Sequence, residues 1–447
     1  MKTYWFAILM ISICLEGLGR RYLPGVPSIV FYLLKDAVLI AGFQMFRPPP
    51  GVQRVASYLF RGFTVAWLAA FGWTLLEVAN PELGSYLLAV IGMRAYWLWW
   101  LAPPIIATVL QDAKLRRRAI LVLGFLSIGI SVLAALQFVS PPDSAINVYT
   151  IVDGEELHAS EAGMVYATGR ARVASTFAFI SGFTDFTILV PVLLLSLGLE
   201  TNDRKLRNTS LIAAAFVAMA SPMSGSRISV VLGIGVLLIT CWSAGLFFTR
   251  TGRRILIGGL IGIVVAGALF PDAVLGVQSR FGDSEETSGR LKLATTVIPP
   301  VAMMTLDYPM MGAGTGSMQN AAMSLHIYPK WNAELELHRY LVELGPVGFM
   351  FVWAVKLGLM VAFYRASKIL KRAGRRACAG AALSYAAVTF FGHLTFDHIW
   401  QSLYFVCAGF ILAETKAALD ILKERARAAK PAQGQVNVGP PPVSLRA

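Results

Sequence analysis

The segment "ELHRYLVELGPVGFMFVW", residues 336–353, sets ionisable side chains directly before an apolar run. These side chains are Glu336, His338, Arg339 and Glu343. The apolar run continues to residue 364 and is long enough to enter a bilayer. An imidazole, a guanidinium and two carboxylates at the start of a membrane helix predict a polar site at the membrane surface.

The whole chain has the composition of a membrane protein. Of its 447 residues, 56% are hydrophobic and 14% are charged, and the mean hydropathy is +0.63, whereas soluble proteins carry about 25% charged residues. Long apolar runs recur along the sequence, so we expect an all-α fold, a polytopic membrane bundle of about twelve transmembrane helices. The predicted spans are 2–17, 27–46, 57–77, 94–111, 119–137, 177–199, 209–223, 228–249, 255–271, 342–364, 379–395 and 402–414.

Basic residues are distributed unevenly between the two sets of loops. On this topology both termini are cytoplasmic, Lys and Arg concentrate in the inner loops, and acidic residues outnumber them outside. The net charge of +14 therefore reflects orientation in a membrane, and nucleic acid is not expected as a partner. The first run lacks a small-residue cleavage site, so we expect it to be retained as a helix. The basic inner segments are 114–118, 203–207, 250–254 and 365–376.

One membrane domain is predicted to take up most of the chain, residues 1–423. Residues 424–447, rich in Pro, Gly and Gln, predict a disordered cytoplasmic tail. Two outer segments, about 138–176 and 272–341, are long enough to have structure of their own, and the second predicts a periplasmic subdomain of short helices. The four cysteines lie in or beside apolar spans, without the spacing of a disulfide framework or a zinc site.

Neither a metal ion nor a cofactor is expected from the outer segments. The acidic stretch "GDSEETSG" (282–289) lacks the carboxylate at position 12 that a calcium loop needs. The stretch "GAGTGS" (312–317) is interpreted as a turn rather than a phosphate-binding loop, because no strand precedes it.

Arginine and histidine are concentrated on the predicted outer face. All five histidines lie there, and most of its basic residues are arginines, although the positive-inside rule should deplete this face of arginine. The planar guanidinium binds phosphate oxygens through paired hydrogen bonds and stays charged when partly desolvated. Individual arginines could instead pair with outer acids or lipid headgroups. For the group at helix mouths, including Arg94 beside the aromatic run 96–100, we predict a pyrophosphate site.

Four motifs occur in an order that resembles the O-antigen ligase and polymerase superfamily, integral membrane glycosyltransferases of the GT-C type from bacterial envelopes. The match extends over about residues 170–353, and the rest of the chain agrees only in helix count and topology. Arg339 stands where the family often has Asn or Ser, and Pro346 lies inside the last motif, where it suits the first turn of a helix. The motifs are "RVASTFAF" (172–179), "SGSRISVV" (224–231), "SGRLKLATTV" (288–297) with "PMMGAGTGS" (309–317), and "HRYLVELGPVGFMFV" (338–352).

This resemblance implies a metal-independent enzyme of the bacterial inner membrane. It would transfer a glycan from undecaprenyl pyrophosphate to an acceptor hydroxyl on the periplasmic side. Arg227 and Arg290 would bind the pyrophosphate and stabilise the charge released as the glycosidic bond breaks, and His338 would take the acceptor's proton. Glu343 would orient a loop or bind the acceptor sugar. The predicted substrate-binding residues are Arg172, Arg280, Arg94, Arg339 and Glu343.

The sequence leaves several functions open. An exopolysaccharide or O-antigen polymerase would extend a lipid-linked glycan, with a chain-length regulator as an expected partner; residues 19–40 resemble the opening of exopolysaccharide-type members. A ligase would pass the glycan to lipid A core. A lipid-linked sugar flippase or secondary transporter would need charges at mid-membrane and related halves. Lys35, Asp36 and Lys356 are candidates for such charges, but the two halves show no kinship.

Overall fold

The chain folds into a bundle of helices. A computed structural model describes residues 2–23, 26–152, 155–166, 168–282, 308–319 and 335–428, with single residues between 303 and 333. The helices are α1 (Lys2–Cys14), α2 (Glu16–Tyr22), α3 (Ser28–Met45), α4 (Pro50–Leu59), α5 (Thr64–Leu76), α6 (Tyr86–Trp97), α7 (Ala102–Val109), α8 (Ala113–Val139), α9 (Ile180–Glu200), α10 (Arg204–Ala220), α11 (Arg227–Ser243), α12 (Arg250–Leu269), α13 (Pro271–Gly282), α14 (Glu336–Arg372), α15 (Arg376–Phe391) and α16 (His398–Ala428). Short 3-10 turns lie at Glu77–Ala79, Pro81–Leu83, Leu98–Leu101, Ala145–Asn147, Ser221–Ser224 and Leu246–Phe248.

The helical content confirms the all-α prediction, with one small addition. In the outer segment 138–176, β1 (Val148–Val152) pairs with β2 (Glu155–His158) as an antiparallel hairpin. The sequence analysis did not predict this hairpin.

Some of the helices can cross a membrane. Within the described residues, α8, α9 and α14 are long and apolar enough to do so. A fourth span results if α4 and the helical stretch Thr64–Ala79, which are bent by 90° relative to each other, count as one. Shorter apolar helices occur in α1, α11 and α15. The helices therefore fit a membrane protein, and the count of twelve spans stays a prediction.

Two predicted spans are wrong as single helices. The span 57–77 contains the bend between α4 and α5, where Gly62 adopts a positive φ of 93°. The span 94–111 is interrupted by the 3-10 turn Leu98–Leu101, and α7 then begins with Pro residues in its first turn. Proline suits a first turn because it lacks an N–H, which also makes it unable to continue a preceding helix.

α9 lies at the centre of the bundle. Nearly all of its residues are buried, whereas α8 and α14 bury less than half of their most apolar stretch. It packs against α10, α11, α15 and α16. At 1.5 Å per residue, its 21 residues give a length of about 30 Å, close to the hydrocarbon thickness of a bilayer.

α14 is broken at Gly345. This residue has φ 61° and ψ −179°, a conformation that is essentially restricted to glycine. Residues 336–344 form a first arm of α14 and residues 346–372 a second arm. Pro346 opens the second arm, at the helical position where its missing N–H is least costly.

The two arms of α14 fold back on each other. In a continuous helix Glu336 and Lys356 would be about 30 Å apart, yet Lys356 Nζ lies 3.2 Å from Glu336 Oε2. The predicted span 342–364 therefore corresponds to the second arm, which begins at residue 346 rather than 342, and the ionisable residues before it form a separate first arm.

The glycine-rich turn 312–317 packs against this break. Its glycines all have positive φ. Ala313 N–H donates to Val342 O (2.8 Å) and Gly314 N–H donates to Glu343 O (3.0 Å). Backbone N–H groups that a phosphate would need are thus bonded to the first arm of α14, so the segment serves as a packing turn.

Much of the predicted periplasmic subdomain, 272–341, lies outside the described residues. α13 opens it, and residues 308–319 form the turn against α14. At the other end of the chain α16 continues to Ala428, so residues 424–428 are helical rather than the start of the tail. Residues 429–447 lie outside the described part.

Replacing Gly345 by alanine is predicted to destabilise the fold. An added Cβ would lie 2.5 Å from Met310 O, and the φ/ψ pair is unfavourable for alanine by about 1–3 kcal/mol. We expect a lower midpoint of thermal unfolding for purified Gly345→Ala, measured by intrinsic fluorescence. The matched control is Gly235→Ala in α11, where nothing lies within 4 Å of the added Cβ; equal midpoints for the two variants would contradict the strained break.

Candidate functional site

A cavity of about 550 Å³ lies beside the N-terminal end of α9. Its walls come from β1, α9, the start of α11, the first arm of α14, the loop 392–397 and the start of α16. Both aromatic and polar side chains line it. The polar and charged ones are Tyr149, Arg172, Ser181, Thr184, Asp185, Ser226, Arg339, His393 and Asp397.

Two of the sequence motifs lie side by side at this cavity. Val173 N–H donates to Met223 O (3.1 Å), and Tyr166 OH donates to Pro222 O (2.7 Å). The Arg172 Nε–H then donates to Ser224 O at 3.3 Å. These bonds dock the "RVASTFAF" segment onto the "SGSR" turn.

The turn needs its glycine to receive Arg172. Gly225 has φ 67°, and a Cβ there would lie 2.8 Å from Arg172 Nε. Arg227 follows as the first residue of α11, and its neighbours Ser226 and Ile228 both line the cavity. The structure thus brings Arg172 and the segment that carries Arg227 together.

A third motif reaches the same cavity through Arg339. Its Nε–H donates to Ala333 O at 3.0 Å, and its guanidinium lies 5.3 Å from the ring centre of Phe396. Phe396 belongs to the loop 392–397 between α15 and α16. Two arginines from different motifs therefore line one cavity.

A buried ion pair fixes the loop 392–397. Glu336 Oε1 accepts hydrogen bonds from Thr395 N–H (2.6 Å) and Tyr340 OH (2.6 Å). Lys356, whose Nζ is paired with Glu336, also donates to Gly392 O at 3.0 Å. The pair thus ties both arms of α14 to the loop.

Four predicted site residues do not line this cavity as far as the structure describes it: Arg94, Arg227, His338 and Glu343. His338 is buried, with 4% exposure, on the first arm of α14. Glu343 accepts hydrogen bonds from Met318 N–H (2.7 Å) and Tyr96 OH (2.9 Å), so it orients the glycine-rich turn.

Arg94 forms a structural ion pair. It bonds the Asp36 carboxylate and the Tyr32 hydroxyl, with its guanidinium 4.3 Å from the Tyr32 ring centre. The alternative that outer arginines pair with acids therefore applies to Arg94. Arg290 and the side chain of Arg280 lie outside the described residues.

Sequence reasoning missed several residues of the cavity. His393 and Asp397 lie in "GHLTFD", which was partly assigned to a span. Asp185 is buried inside the apolar α9, and an ionisable residue in such a helix is itself a signal of function.

Tyr149, which also lines the cavity, was not predicted as a site residue from the sequence. Burial raises the pKa of its hydroxyl, against the opposing effects of the Arg21 and Arg172 charges and the Ile180 N–H. The phenol is therefore neutral near pH 7 and can donate a hydrogen bond.

Comparison with known proteins yields no match to a family model and no match to a curated protein sequence. Among the described residues, no group of three or more His, Cys, Asp or Glu side chains could hold a metal ion.

The Glu336–Lys356 pair is predicted to behave as a coupled unit. Lys356→Met alone leaves a buried carboxylate uncompensated, at a cost of about 3–5 kcal/mol, and Glu336→Gln alone strands the ammonium. We expect each single variant to have a lower thermal midpoint than the double variant, because the double variant buries no unpaired charge. Additive losses in a double-mutant cycle would contradict direct coupling.

Proposed function

We propose that the chain is a glycosyltransferase that acts at the periplasmic face of the bacterial inner membrane. It moves a glycan from undecaprenyl pyrophosphate to an acceptor sugar hydroxyl, and we favour an exopolysaccharide or O-antigen polymerase. The observation that carries the proposal is the cavity in which Arg172 and Arg339, from two separate motifs, meet the segment of Arg227.

The cavity has the features of an anion site. Guanidiniums from two segments converge on it, and arginine binds phosphate in paired geometry. Ser226, at the N-cap of α11, lines it too, so the positive end of that helix dipole faces the same space.

Charge at the two ends of α9 supports the proposed orientation. Asp185 and Ser181, near its N-terminus, line the arginine cavity, whereas Leu197 and Glu200, near its C-terminus, line a second cavity of about 300 Å³. The basic residues there come from segments predicted to be cytoplasmic: Arg116, Arg117 and Arg375. Twelve spans with both termini inside would place the first cavity at the periplasmic surface.

The proposed chemistry is a single displacement at the anomeric carbon. The acceptor oxygen forms a bond to this carbon while the bond to the pyrophosphate oxygen breaks, and the lipid pyrophosphate leaves with the electron pair. Arg172, Arg227 and Arg339 stabilise that charge, with Arg290 as a further ligand. The resemblance assigns the proton of the acceptor hydroxyl to His338, although this residue is buried on the first arm of α14 and does not line the described cavity, so the role rests on the resemblance.

Cysteine labelling tests the orientation. The native cysteines are buried, so they give little background. Thr168→Cys and Lys371→Cys place thiols at exposed positions on the predicted outer and inner sides. In intact spheroplasts we expect a membrane-impermeant thiol reagent to label position 168 alone, and both positions after permeabilisation. Labelling of position 371 in intact cells would refute the orientation.

Activity tests the residues of the cavity. Purified protein receives lipid-pyrophosphate-linked repeat units, and glycan length is read on a gel. We expect Arg172→Lys and Arg227→Lys to lose most activity, because lysine keeps the charge but lacks the planar fork. His338→Ala should lose roughly 10²–10⁴-fold in rate, the scale of general base catalysis. Arg170→Lys is the matched control, since Arg170 pairs with Asp272 and does not line the described cavity.

The products separate the candidate functions. Longer glycan from the lipid-linked substrate alone supports a polymerase, and product only after addition of lipid A core supports a ligase. Movement of the lipid-linked sugar across a liposome membrane without any transfer would favour a flippase and refute the enzyme. Near wild-type product from both lysine variants would remove the arginines from the mechanism.

A further inference from the structure

Three buried polar atoms in the wall of the cavity have no hydrogen-bond partner in the described part of the chain. They are Thr184 Oγ1, Asp185 Oδ2 and Trp400 Nε1. Each residue lines the cavity and is at least nine-tenths buried, with exposures of 5%, 5% and 3%. An unsatisfied buried polar group is costly, so three at one cavity indicate a place that a ligand completes.

Their positions put them on adjoining elements. Thr184 and Asp185 are consecutive residues in the second turn of α9, and Trp400 lies in the first turn of α16. The indole packs over the backbone of Gly392, where an added Cβ would lie 2.4 Å from the ring. Both helices are well packed here, so the three atoms are held in place before any ligand arrives.

The Asp185 carboxyl has a direct neighbour in Asp397. Both side chains line the cavity, Asp185 from α9 and Asp397 from the loop 392–397. Asp397 also accepts from Ile399 N–H (3.0 Å) and Trp400 N–H (3.2 Å) at the start of α16. These bonds fix the orientation of the carboxyl pair.

The three unsatisfied atoms differ in what they need. An indole N–H only donates, a carboxylate oxygen accepts, and a threonine hydroxyl does both. A phosphate group only accepts and would repel a carboxylate. A set of hydroxyl groups satisfies all three atoms, and the aromatic side chains Tyr149, Phe179 and Phe396 on the same cavity suit the C–H faces of a sugar ring.

We propose that Thr184, Asp185 and Trp400 form the binding subsite for a neutral sugar ring, the acceptor of the transfer reaction. Its role as acceptor rests on the proposed function. The cavity would then have two regions: the arginines bind the pyrophosphate of the donor, and the wall formed by α9 and α16 binds the hydroxyl groups of the acceptor.

Direct binding tests the subsite without any reaction. Purified protein in lipid nanodiscs is titrated with methyl glycosides of glucose, galactose, mannose and N-acetylglucosamine, and binding is read by saturation-transfer difference NMR. Sugar-headed detergents are avoided, because their headgroups would compete. We expect at least one glycoside to bind. Absence of saturation transfer for every glycoside would mean that water alone satisfies these atoms, and would overturn the proposal.

Near-isosteric variants assign the binding to the three atoms. Thr184→Val and Trp400→Phe each remove one hydrogen bond and should weaken binding roughly 2- to 10-fold; Asp185→Asn, which exchanges an acceptor oxygen for an NH2 group, should weaken it by at least roughly 10-fold. Ser196→Ala is the control, since Ser196 is buried on the same helix with its hydroxyl bonded to Leu193 O. Unchanged affinity in all variants that keep a wild-type thermal midpoint would overturn the subsite.

Kinetics separate this proposal from the proposed function. With a lipid-linked donor and a soluble acceptor glycoside, the three variants should raise the KM of the acceptor while leaving the KM of the donor unchanged. Transfer with an unchanged acceptor KM would overturn the acceptor role of this subsite but would leave the proposed glycosyltransferase activity intact. Glycoside binding by a protein that transfers nothing would keep the sugar site and overturn the glycosyltransferase.

Discussion

The backbone of one residue, Gly345, determines the geometry of the candidate site. Its positive φ turns α14 back on itself, and the glycine-rich turn 312–317 fills the angle through bonds to Val342 and Glu343. The fold-back brings Lys356 to Glu336, and that ion pair holds the loop 392–397. Arg339 on one side and Asp397 on the other therefore depend on a conformation that glycine adopts and other residues resist.

Composition alone predicts the class of this fold, since few charges and recurrent apolar runs leave little but a membrane helix bundle. The helix boundaries are predicted less accurately from the sequence. The pair Gly345–Pro346 contains the signal for the break, and Pro346 is expected in a first helical turn, but the predicted span begins at residue 342 because the apolar pattern extends across the pair. Whether a chain bends at such a pair depends on what packs against it, here the turn 312–317, and that contact is tertiary.

The residues of the cavity likewise fall into those that the sequence indicated and those that it did not. Two of the quoted motifs contain Arg172 and Arg339, which line one cavity. By contrast, Asp185 looks like an isolated acid in an apolar run, and its pairing with Asp397 joins residues from α9 and from the loop before α16. The spacing of Asp185 and Asp397 along the chain does not predict that they lie close together. The rarity of ionisable groups in apolar helices could, however, have identified Asp185 as a candidate functional residue.

Several buried charges elsewhere in the described bundle have partners. Lys35, a candidate transport residue, lies 2.6 Å from Glu16, and Asp36 is bound by Arg94 and Trp99. An unpaired charge in an apolar bundle costs far more than a paired one, so these pairs fix how α2, α3 and α6 pack together.

In the cavity, polar atoms of Thr184, Asp185 and Trp400 are buried without partners among the described residues. Further such atoms lie elsewhere in the described part of the chain, and what sets these three apart is that their residues line one cavity. Leaving three unsatisfied beside two arginines is costly for folding, and binding of a hydroxyl-rich ligand would offset that cost. The proposed site would take an anion and a sugar at once, as the proposed transfer from a lipid-pyrophosphate-linked glycan requires.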